Sequence, residues 1–215
     1  MIGSALKLLR DELSNYIIAN KRSDDAILKE DIILHNIALL DGDGSDKLND
    51  KIVITLVNTE EESTLKNHSN VLRTLTRTQY QRPPVFLNLY ILITSTLKEN
   101  PSADNYEFAL HRLALALQFF QAKRKFTLSN SPFATLVTDT HVSDEAKNKL
   151  ELTVELYTLT FEQINHLWGS LGGKQTPFAM YKIRLIEIQE LSSQEAPVIE
   201  SIRTVETLIN ADCDE

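Results

Sequence analysis

The sequence predicts an α+β fold: a mainly antiparallel sheet of about four to five strands, flanked by two to three helices. Three observations carry this expectation. Residues 150–156 alternate apolar and polar side chains, the period of a half-buried strand. Residues 2–19 and 104–122 repeat apolar side chains every three or four positions, the period of an amphipathic helix. The strand-like runs are joined both by turn-rich loops and by helical segments, which fits neither an all-β nor a purely parallel chain. At 215 residues, the chain is long enough to bury its own core.

The first helix takes its stripe from Ile2, Leu6, Leu9, Leu13, Tyr16 and Ile17, with Asp11, Glu12 and Asn15 opposite. Asn20 to Asp25 is a polar loop. Residues 31–40 and 51–57 are short, β-branched and bounded by turn residues, so both read as strands. The Asp-, Gly- and Ser-rich stretch between them makes 31–57 a β-hairpin with a long exposed connection. That stretch is a poor calcium loop. Counted from Asp41, Asp46 stands where an EF-hand needs Gly, and Ile52 where it needs Glu.

Residues 63–83 are polar, offer little core and carry Arg73, Arg77 and Arg82, which reads as a mobile loop. From Val85 to Leu97 both parities are largely apolar, as in a central strand covered on both faces. The second helix shows a stripe of Tyr106, Ala109, Leu110, Leu113, Leu117 and Phe120. Lys123, Arg124 and Lys125 follow it, where cations complement a helix C-terminus. Residues 123–142 read as an irregular crossover, and 149–157 as an antiparallel strand. Thr160 precedes Gln163 at capping-box spacing, opening a short helix through Phe161, Ile164, Leu167, Trp168 and Leu171. Residues 178–189 return as a strand. From Pro197 onward, Val198, Ile202, Val205 and Ile209 fit a helix face, while their β-branching favours extension; both conformations stay open. The expected organisation is one domain over 1–190 and a C-terminal tail over 191–215.

Chemistry is sparse. The formal net charge of −8 argues against nucleic-acid binding, which rests on cations neutralising phosphates. Cys213 is the only cysteine, so neither an intrachain disulfide nor a Cys-based metal site can form. No apolar run approaches the ~20 residues that span a bilayer, and Met1 to Lys7 does not look like a secretory signal. Synthesis in the cytoplasm is expected. Glu162 and His166 share a helix face at i,i+4 spacing and could begin a metal-dependent hydrolase site, but no third ligand is identifiable. A packed or capping histidine is the plainer reading. Trp168, the only tryptophan, is expected to anchor its helix rather than bind a ligand.

Three blocks then occur in order: KIVITLVNTEEE over 51–62, PVFLNLYIL over 84–92 and LTFEQINHLWGSLGGK over 159–174, closed by YKIRL over 181–185. Together they resemble the N-terminal domain of the cap proteins of extracellular contractile injection systems, such as the antifeeding prophage and the Photorhabdus virulence cassettes. The resemblance spans nearly the whole chain. It implies a tail-terminator-like fold and a structural protein with no catalytic residue and no cofactor. It implies a homo-oligomer, a six-fold ring that closes the distal end of an inner tube and sheath, within a particle that can be released from the cell. A baseplate or tube-adaptor subunit of the same machine is the second reading. The interface candidates are Arg73, Arg77 and Arg82, the basic triplet Lys123, Arg124 and Lys125, and Val198 and Ile202 of the tail.

Overall fold

A computed structural model describes residues 1–41, 47–62, 71–73, 77–81, 84–98, 102–135, 150–172, 174–188 and 193–197. In chain order the helices are α1 (Ile2–Asn20), α2 (Ala103–Ala122) and α3 (Phe161–Ser170). The strands are β1 (Ile32–Leu34), β2 (Ile52–Glu61), β3 (Val71–Arg73), β4 (Arg77–Gln81), β5 (Val85–Ser95), β6 (Lys125–Thr127), β7 (Glu151–Leu156), β8 (Phe178–Ile188) and β9 (Ser193–Pro197). The chain divides into two compact units: Met1–Lys66 with Val85–Ile188, and Asn67–Pro84 with Gln189–Glu215.

The larger unit is an α+β fold on a six-stranded sheet of order β1-β2-β5-β8-β7-β6. Every neighbouring pair is antiparallel except β1 with β2. One face of the sheet packs on α1 and α2 through Leu9, Leu13, Ile91, Phe119, Phe126 and Ile183. The other face packs on α3 through Val53, Leu92, Trp168 and Met180. The strand β5 lies between β2 and β8 and feeds both cores, as its apolar parities require.

The 31–57 hairpin does not form. Ile32 pairs with Ile52 and Leu34 with Ile54 in parallel register. After β1 the chain turns away into a 3-10 helix, Ile37–Asp41. Thr55 fixes that turn from within β2: its hydroxyl donates to the His35 carbonyl at 2.7 Å and accepts from the Ile37 N–H at 3.1 Å. Ile37 is thereby buried in the second core, and the chain returns to start β2 in the direction of β1. The supposed crossover at 123–142 also contains a strand, β6, which pairs with β7 from Lys125↔Thr153 to Thr127↔Glu151.

The helix α2 is rotated from the stripe its sequence suggests. Ala109, Arg112, Leu115, Ala116, Phe119 and Phe120 are buried, whereas Tyr106, Leu110 and Leu117 are 50%, 44% and 37% exposed. The rotated face carries a buried ion pair as well as apolar side chains. Arg112 donates from Nε and Nη2 to Asp25 at 2.9 and 2.5 Å, and from Nη1 to Asp50 at 2.7 Å. Phe120 packs on Tyr181 with ring centroids 4.6 Å apart. Burial pushes the Tyr181 hydroxyl up to about 12.

Two carboxylates of α1 hold the segment after β6. Asp11 Oδ2 accepts from the N–H and the hydroxyl of Thr135 at 2.8 and 2.6 Å. Glu12 accepts from the Phe133 N–H at 2.9 Å and from Lys123 Nζ at 2.9 Å. Asp11 and Glu12, expected on the polar side of the first helix, are both buried.

The smaller unit contains an antiparallel sheet of order β3-β4-β9. The segment expected as a mobile loop thus carries two strands, and residues 193–197 of the tail are extended. Residues 63–70, 74–76, 82–83 and 198–215 lie outside the described residues.

Candidate assembly surfaces

The Glu162–His166 pair forms on α3 with Nε2 and Oε1 3.8 Å apart, and its side chains are 80% and 85% exposed for His166 and Glu162 respectively. Among the described residues no group of three His, Cys, Asp or Glu side chains could hold a metal ion. No described helix is long and apolar enough to cross a membrane.

The basic triplet diverges rather than forming a patch. Lys123 turns inward to Glu12, donates to the Asn130 carbonyl at 2.6 Å and lies 4.8 Å over the Phe126 ring. Lys125 faces Glu151 across the ladder at 3.6 Å. Arg124 stands exposed between them. Arg73 and Arg77 occupy the backbone of one small sheet, paired with Thr78 and Pro197. Arg82, Val198 and Ile202 lie outside the described residues. Trp168 is 4% exposed, and its ring meets Phe178 edge-on at 5.4 Å. Its capping residue behaves as the spacing predicts: Thr160 Oγ1 accepts from the Gln163 N–H, and Gln163 Oε1 accepts from the Thr160 N–H.

Two surfaces escape a sequence reading. The first is a polar ledge on the α3 face of the sheet. Tyr90 donates its hydroxyl to Glu60 at 2.6 Å, Lys182 lies 5.3 Å over the Tyr90 ring, and Tyr157 meets that ring edge-on. Arg184 pairs with Glu155 at 3.3 Å beside them. The hydrogen bond to Glu60 is the main cause that holds the Tyr90 hydroxyl above its ordinary range. Charges on this ledge neutralise one another, so it offers shape and hydrogen bonds rather than net charge. Alternation puts Glu155 on the polar parity of β7 and Tyr90 on one parity of β5, but nothing in the sequence shows the pairs these residues form.

The second is a groove of about 660 Å³ between α2 and β7. Leu117 and Phe120 form one wall, and Val154, Leu156 and Tyr181 the floor, with Gln121 and Arg124 at the rim. Leu156 is 59% exposed. The signal for this groove was the i,i+7 relation of Leu110 and Leu117, which reads identically for a buried and an exposed stripe.

A mixed six-stranded sheet with helices on both faces is a fold this protein shares with tail terminators. It is similar over 98% of its length to the sheath/tube terminator of an extracellular contractile injection system, PVC, in its extended state (TM-score 0.57, 14% identity). It is similar over 92% of its length to the anti-feeding prophage cap, a tube terminating cap (TM-score 0.55, 13% identity). The chain belongs to the Pvc16 N-terminal domain family, whose model matches residues 5–201. It spans 65% and 60% of the two structures' own chains. No curated protein matches it.

Proposed function

We propose that this protein is the cap of a phage-tail-like contractile injection particle, closing the distal end of the inner tube and sheath and stopping their growth. The family match over residues 5–201 carries this reading, and the likeness to two terminators supports it. The cap works as a six-fold ring of identical subunits, made in the cytoplasm and carried out of the cell on the finished particle. It acts by complementarity of surface and strand edge, without turnover or cofactor. Arg73, Arg77 and Arg82 meet carboxylates on the tube, the sheath or a neighbouring cap, and the tail through Val198 and Ile202 pairs in extended form with the last layer.

Electron microscopy of particles made without this gene tests the proposal. Sheaths of variable length, or none that persist, are expected, with normal length restored by the gene in trans. Normal, closed particles in its absence would overturn the reading. So would gold-labelled protein at the needle end, which marks a baseplate or adaptor subunit.

A further inference from the structure

The groove between α2 and β7 is bordered by an unfinished strand edge. The ladder of β6 with β7 ends at Lys125↔Thr153, followed by one more bond, from the Val154 N–H to the Arg124 carbonyl at 2.8 Å. Residues of a strand point their N–H and C=O groups alternately to its two sides. Tyr157 donates towards β8, to the Met180 carbonyl, and Val154 donates towards β6. Leu156 shares the parity of Val154, so its N–H and C=O point to the β6 side. There the chain has already left the sheet: Lys123 caps the C-terminus of α2. Among the described residues no strand lies on that side of Leu156; its only ladder partner is Tyr181 of β8, on the other side.

Three features therefore meet at one place. A main-chain donor and acceptor at Leu156 face the β6 side, where no strand among the described residues meets them. An apolar trough formed by Leu117, Phe120 and Val154 lies beside them. At the rim stands Arg124, whose guanidinium makes no ion pair or hydrogen bond among the described residues. Unpaired edges invite strand addition, and a lone exposed cation favours a carboxylate.

We propose that this groove binds an extended segment of another protein, which continues the sheet beside β7. The segment is apolar at alternate positions, because side chains of one parity must enter the trough. It carries a carboxylate where it passes Arg124. The edge on offer is short, so the apolar contacts and the charge supply most of the affinity, and the main chain supplies the orientation. The proposal concerns the free subunit and does not depend on capping.

The probe is a fluorescein-labelled octapeptide that alternates valine and threonine and ends in two glutamates. Its twin ends in two lysines. Fluorescence anisotropy on the full chain should favour the glutamate peptide by about threefold, the scale of an exposed ion pair. Arg124→Glu should invert that preference. Leu117→Asp, at an exposed helix position that leaves the core untouched, should weaken binding by about tenfold or more. Hydrogen exchange should show the Leu156 amide protected in the peptide complex. Absence of binding at about 1 mM peptide overturns the proposal. So does binding that ignores both substitutions or leaves Leu156 unprotected. Protection of Leu156 that rises with protein concentration in the absence of peptide, alongside self-association in sedimentation, makes a second copy the occupant and also overturns it.

Discussion

Asp25 and Arg112 lie 87 positions apart, and their side chains are 0% and 3% exposed. Burial, the largest influence on Asp25, favours its neutral acid. The Arg112 hydrogen bonds, the Ile27 N–H and the charges of Arg112 and Lys21 outweigh it, so the carboxyl ionises below its ordinary 3.8. A folded value below the unfolded one means that the stability it contributes is present above the ordinary value and lost as the pH falls through the folded value. Urea midpoints should therefore drop as the pH is lowered below about 4, and Asp25→Asn should shallow that acid limb. Removing one partner leaves the other buried and unpaired. Asp25→Ala should cost about 3–5 kcal/mol by urea unfolding at neutral pH. Trp168→Ala should cost about as much, ~3–5 kcal/mol, and give insoluble or unfolded protein. A soluble variant that melts normally and fails only in assembly would move Trp168 from core to interface. The sequence made Trp168 conspicuous by its neighbours at helical spacing. Asp25 closes a polar loop, where nothing local signals a partner so distant in the chain.

Among the elements, those governed by local chemistry were the legible ones. The helix α3 was readable from Thr160 and Gln163, whose reciprocal bonds satisfy two main-chain donors at its start. Thr160→Ala should destabilise the protein by ~1 kcal/mol in thermal or urea unfolding. The parallel pairing of β1 was not legible. It depends on the Thr55 hydroxyl bonding His35 and Ile37, 20 and 18 residues away. Three-residue strands such as β6 give too few positions for a period to show. The segment 131–135 has no ladder of its own and is held by Asp11 and Glu12 of α1. Asp11→Ala should release it. Hydrogen exchange at Thr135 should rise, with a stability loss of about 1–3 kcal/mol for the bonds left unmade.

At the scale of the molecule, composition and periodicity reached the α+β class, and the sequence blocks reached the family. The small sheet escaped both, because Val71–Arg73, Arg77–Gln81 and Ser193–Pro197 join segments more than a hundred residues apart. Deleting residues 189–215 removes β9 and leaves every strand of the larger sheet in place. The shortened chain should keep a cooperative melt and a near-unchanged far-ultraviolet circular dichroism spectrum, yet yield uncapped sheaths under the electron microscope. Capped particles of normal length from it would take the tail out of the capping contact.

The place of β5 also governs when the protein can fold. Its partner β8 is made about 80 residues later. At roughly 5–20 residues per second, β5 waits on the ribosome for about 4–16 s with one whole edge bare. During that interval the nascent chain presents an apolar strand suited to sticking to other nascent chains. Holding of the emerging chain until Ile188 has left the ribosome would limit that sticking.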